Sequence, residues 1–169
     1  TLAKIQYLWP KAKVNGIEIV EQIANIGASY LDIVQGNVET MELPYEEKQF
    51  DYIILGDVLE HLFEPDKVLL RLQPYLKENG EFLCSIPNIM HLSVLMPLLQ
   101  GKFDYEEAGI LDKTHVRFFT LDSICKLFAQ CGLKIEKVSG ITNPPSHTEE
   151  NMQMLDAVCQ LSKAAPKEQ

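Results

Sequence analysis

Between Tyr52 and Gly56 the sequence runs apolar without a break or helical spacing, with two β-branched isoleucines in the run. Five residues are too few for a free-standing helix. The pattern predicts a strand buried on both faces, as in a parallel sheet covered by helices. The run ends in Gly56-Asp57, and helical spacing resumes at Val68, Leu69, Leu72 and Leu76. In open α/β sheets, ligands bind beyond the carboxyl ends of the strands, so Asp57, Glu60 and His61 are the first candidates for chemistry.

The rest of the chain alternates in the same way. Leu2, Ile5, Leu8 and Trp9 recur at helical spacing up to Pro10. A short strand is expected over 14–19, a helix over 21–27 stopped by Gly27, and a strand over 31–34. Pro65 suits the first turn of a helix, which Pro74 should kink or shorten and Gly80 should end. A strand over 81–86 follows, then a helically spaced segment over 89–99 that reads either as core or as a lid over the crevice. Residues 101–119 have little periodicity, and loops of that length in a compact domain are usually functional. Thr120 is a good N-cap for a helix over 121–131, with Gly132 as its stop and a strand over 133–138 after it. Two prolines mark a linker over 141–148, and a last helix is expected from Met152 onward. This order predicts an α/β fold with a largely parallel sheet and helices on both faces.

The 169 residues fit one domain, taken here as a partial one over 1–169, with 89–119 as an inserted helix and substrate-side loop and 141–169 as linker and C-terminal helix. A net charge of −9 disfavours general nucleic-acid binding, which needs clustered Lys and Arg. No apolar run approaches the length of a membrane span. Cys84, Cys125, Cys131 and Cys159 form no CxxC pair and suit reduced, mostly buried thiols in a cytoplasmic protein. Oligomeric state does not follow from the sequence.

FDYIILGDVLEHLFEP, from Phe50 to Pro65, resembles the fourth strand and following loop of class I S-adenosylmethionine-dependent methyltransferases. That resemblance implies a Rossmann-like fold, S-adenosylmethionine as cofactor and a small-molecule acceptor. It gives Glu18, after Gly16-Ile17, the ribose hydroxyls, and Asn37 an adenine contact, although many relatives carry Asp there. It also sets Ile19, Val38, Asp57 and Val58 along the cofactor. The Glu60-His61 pair together with DKTHVRFFT (Asp112 to Thr120) is similar to a subgroup associated with sugar and glycan pathways, which implies a hydroxyl acceptor. The family's GxGxG loop and first strand have no counterpart in these residues, and its last strand has no candidate. The expectation is therefore a fragment that binds the cofactor poorly alone.

Methyl transfer to oxygen needs a base for the hydroxyl proton or a metal that acidifies it. His61 and His115 are the candidate bases, since imidazole titrates near neutral pH. Glu60, Asp112 and Arg117 are candidates for holding the acceptor. One variant has Glu60, His61 and His115 sharing a divalent metal; in the plainest alternative His61 caps local backbone and His115 anchors its loop. No metal ligand set is assigned. Two other functions compete: a nicotinamide-dependent oxidoreductase, and a cofactor-free interaction module that keeps the fold.

Overall fold

The computed structural model describes residues 2–140 and Gln153. In chain order the elements are α1 (Leu2–Leu8), β1 (Asn15–Glu18), α2 (Glu21–Ala28), β2 (Asp32–Gln35), β3 (Phe50–Gly56), α3 (Pro65–Leu72), β4 (Leu76–Ser85), α4 (Leu92–Leu99) and α5 (Leu121–Gln130). β1 and β2 pair in parallel, from Asn15 opposite Asp32 to Glu18 opposite Gln35. β3 pairs with β4 in a second two-stranded sheet. The Lys77 ammonium meets the Asp51 carboxylate near their start, and Asp57 N–H donates to Ser85 O (3.0 Å) at their end, so the two strands run in the same direction. The chain forms two compact units: residues 2–54 with Glu64–Leu83, and Leu55–Phe63 with residues 84–140.

In the first unit Ala24, Leu43, Val68, Leu69 and Leu72 are buried. Pro65 opens α3, where its missing N–H costs nothing, and the helix buries one stripe while Leu70 faces out. Pro74 shortens this helix as expected: α3 stops at Leu72 and a 3₁₀ turn over Gln73–Tyr75 leads directly into β4. Gly80 therefore lies inside a strand and ends no helix. A Cβ there would come within 2.9 Å of Phe50 O, so glycine is what lets the neighbouring backbone approach. Gly27 is likewise no stop, because α2 runs on to Ala28 and is capped by Ser29.

The expectation that β3 is buried on both faces also fails. Of its residues only Leu55 is buried, whereas Tyr52 and Ile54 are 57% and 36% exposed. Both line an open cleft of about 1540 Å³ with Leu2, Ile5, Leu8 and Trp9. A strand is covered only where a second layer packs on it, and here that side opens into the cleft.

The second unit buries Leu55, Leu59, Leu62, Val94, Met96, Leu111, Phe119 and Ile124. The residue 89–99 segment becomes helical only from Leu92, capped by the His91 ring, which accepts from Ser93 N–H. Thr120 caps α5 in a reciprocal box with Ser123, and Gly132 (φ +73°) takes the left-handed turn that ends it. Residues 133–138 form no strand: no ladder partner lies beside them among the described residues, and Val138 is exposed. The linker and last helix expected beyond residue 140 fall outside the described residues.

Leu69 is fully buried and its neighbour Leu70 is half exposed. Denaturant unfolding should show Leu69→Ala losing about 2–5 kcal/mol, the range for emptying a core leucine site. Leu70→Ala should stay within about 0.5 kcal/mol of the parent.

Candidate functional site

After β3 the chain turns sharply. Asp57 sits at φ +54°, a left-handed conformation uncommon outside glycine, and is held from two sides: its N–H donates to Ser85 O, and its Oδ1 accepts from Ser85 Oγ at 2.9 Å. A 3₁₀ turn over Leu59–His61 follows, anchored by the buried side chains of Leu59 and Leu62. Glu60, between them in sequence, is buried as well.

The segment around His115 is clasped onto this turn through backbone. Glu60 O accepts from both Val116 N–H (2.9 Å) and Arg117 N–H (3.0 Å), and the Arg117 guanidinium donates to Phe63 O. As a result the rings of His61 and His115 meet edge to face with centroids 4.7 Å apart. His61 is exposed, His115 is 8% exposed and Glu60 is 1% exposed.

Hydrogen bonding fixes which nitrogen of each ring carries the proton. His115 Nδ1 lies 3.0 Å from Ile110 O, and a carbonyl can only accept, so Nδ1–H is the donor. His61 Nδ1 lies 3.2 Å from both Thr114 O and Thr114 Oγ1. The Thr114 hydroxyl already gives its hydrogen to Asp112 Oδ1 (2.6 Å), so here too Nδ1 donates. In their neutral forms both imidazoles therefore keep a lone pair at Nε2.

Asp112 stands behind the site. It accepts from the Thr114 hydroxyl and from Thr114 N–H, bonds that hold its carboxyl below the usual range. Arg117 is tied to Phe63. Thr114, which orients His61, and Ser85, which holds Asp57, were not singled out from the sequence; the Asp112-x-Thr114 spacing of a side-chain-to-backbone turn was the available signal for the first. In the other unit, Val20 N–H donates to Glu18 Oε1 (2.8 Å) at the end of β1. Asn37 Oδ1 accepts from Glu39 N–H (2.8 Å), while Arg71 fastens the same turn by donating to the carbonyls of Val38 and Met41. Ile19 is exposed beside Glu18.

Burial pushes the Glu60 carboxyl up from its ordinary value; its own backbone and the two imidazoles pull it down, and Asp57 adds to the rise. A carboxyl raised on folding stabilises the native state least when ionised, so its contribution falls as pH climbs from the unfolded value through the folded one. With a chelator present, Glu60→Gln should therefore melt above the parent at pH 8, the gap closing as pH drops toward 4. A gap that widens on acidification would contradict this.

Comparison with known proteins agrees with the fold and with the enzyme class. A family profile described as "Methyltransferase domain" matches residues 2–138. A demethylmenaquinone methyltransferase of Bacillus cereus is 26% identical over 163 residues, covering 84% of this chain and 68% of that protein. Among solved structures, a SAM-dependent methyltransferase from Archaeoglobus fulgidus superposes with a TM-score of 0.58 at 14% identity, over 96% of this chain and 75% of the other. The plantazolicin methyltransferase BpumL, in complex with a monoazolic desmethylPZN analog and SAH, gives 0.64 at 19% identity, over 98% and 66%. No helix among the described residues is long and apolar enough to cross a membrane. The chain belongs to the methyltransferase-domain family and has the Rossmann-like fold and enzyme class of an S-adenosylmethionine-dependent methyltransferase.

Proposed function

We propose that the chain transfers a methyl group to a hydroxyl of a small polar acceptor, a sugar or glycan-related molecule being the first class to test, in a cytoplasmic setting. The observation that carries the acceptor end is the convergence of Glu60, His61 and His115, with an Nε2 lone pair on each ring. A hydroxyl, unlike a thiolate or an amine, must shed a proton to react, and this cluster is built from proton acceptors. Phe103, Tyr105 and Phe118 add a partly exposed aromatic wall, with the Phe118 ring 6.4 Å from that of His115. Such a wall suits the apolar face of a sugar ring. The named relatives differ in what they methylate, so the acceptor class rests on this chemistry and not on their names.

At the cofactor end, Glu18 fits a ribose diol. One carboxylate oxygen is steadied by Val20 N–H and the other takes no hydrogen bond among the described residues. Among the described residues the Asn37 amide N–H groups take no partner and are offered to an adenine edge, with Ile19 and Val38 next to Glu18 and Asn37 in sequence. S-adenosylmethionine, when bound, supplies a methyl on a sulfonium, which leaves the protein to position the acceptor, exclude water and draw off the hydroxyl proton. His61 or His115 accepts that proton at Nε2.

In the full-length protein, Glu18→Ala should weaken S-adenosylmethionine binding by about 1.5–3 kcal/mol by calorimetry, the scale of hydrogen bonds to a charged group. Unchanged affinity would remove Glu18 from the site. His115→Ala should lower turnover by about 10²–10⁴ with cofactor affinity nearly intact. Turnover at the parent rate would make His115 an anchor of its loop and nothing more.

A further inference from the structure

Glu60, His61 and His115 each offer a ligand atom, and these atoms all lie within 4.8 Å of one another. Both carboxylate oxygens of Glu60 are buried, and neither has a hydrogen-bond partner among the described residues. Burying a carboxylate is costly unless a donor or a cation compensates. The adjacent imidazoles supply no donor, because the N–H of each is already spent at Nδ1 on Ile110 O or on Thr114. The three ligand atoms gathered here offer lone pairs, and such a set is completed by a positive ion.

We propose that Glu60, His61 and His115 form a binding site for a divalent cation of the first transition row. Two imidazoles and one carboxylate suit Zn²⁺, Mn²⁺ or Co²⁺, whereas Mg²⁺ and Ca²⁺ favour all-oxygen surroundings. The partners behind the ligands are also those of a metal centre: Ile110 O and the Thr114–Asp112 pair hold each ring by its far nitrogen and set its orientation. Three protein ligands leave coordination positions open, and exposed His61 puts the site within reach of solvent. An oxygen entering there, whether water or an acceptor hydroxyl, would be acidified, its O–H bond breaking with the proton passing to solvent. The inference deepens the acceptor-end reading above: with the ion in place, the imidazoles hold it and the ion weakens the hydroxyl.

The test is a Co²⁺ titration of the full-length protein after chelator treatment and dialysis, read by visible d–d absorption and calorimetry, with Zn²⁺ as competitor. One cobalt per chain is expected, displaced by zinc. His61→Ala, an exposed position whose folding is checked by circular dichroism, should abolish the bands, and Glu60→Gln should do the same. Thr114→Val, which leaves the ligands and removes the hydroxyl behind His61, should weaken binding about 10–100-fold. No cobalt uptake by the parent protein, or unchanged bands in His61→Ala, would overturn the site. Turnover lost in His115→Ala while the parent takes up no cobalt would also overturn it, leaving the free-imidazole reading in place.

Discussion

One backbone oxygen holds the proposed acceptor end together. Glu60 O receives two consecutive N–H groups, from Val116 and Arg117, and so fastens a loop more than fifty positions away onto the turn after β3. The carboxylate of the same residue is buried, where water does not reach it. The main chain of Glu60 thus sets where His115 stands, and its carboxyl lies within reach of both imidazoles. Mutations that loosen the clasp should act on the chemistry without touching a reacting group.

Position and orientation are supplied by different residues. The strand end, the 3₁₀ turn and the Leu59–Leu62 anchors place His61; Thr114 and Asp112 decide which of its nitrogens faces outward. His115 is oriented by the carbonyl of Ile110, within its own loop. Both rings are therefore fixed by groups that cannot donate to Nδ1. This division explains why the loop over residues 101–119 has so little regular structure: its backbone is spent on bridges, such as Glu106 with Asp112, and on contacts to the turn.

Much of this was legible in the residues themselves. The apolar run over β3, the Thr120 cap, Pro65 at a helix start and the shortening by Pro74 each follow from local rules that the structure obeys. Glycine was the weak point. Gly27 and Gly80 looked like helix stops, yet one lies within a helix and the other serves close backbone approach, a need that exists only once strands are paired. The apolar Leu133, Ile135 and Val138 likewise make a strand only if a partner is present. At the site, the sequence singled out His61 and His115 as candidates by residue type and by resemblance. The burial of Glu60 and the tautomers of both rings depend on contacts across long sequence separations, which periodicity does not encode.

Family membership accounts for the fold and the enzyme class, while the acceptor chemistry proposed above rests on Glu60, His61 and His115 acting as one set of lone-pair donors. The most direct test of that claim is the protonation pattern of the two rings. Long-range ¹⁵N–¹H correlation spectra of the full-length, metal-free protein, taken at a pH where both imidazoles are neutral, report it without any substrate. The structure predicts the Nδ1–H form for both His61 and His115, with Nε2 unprotonated. An Nε2–H form at either ring would place a proton where the account requires a lone pair, and would contradict it.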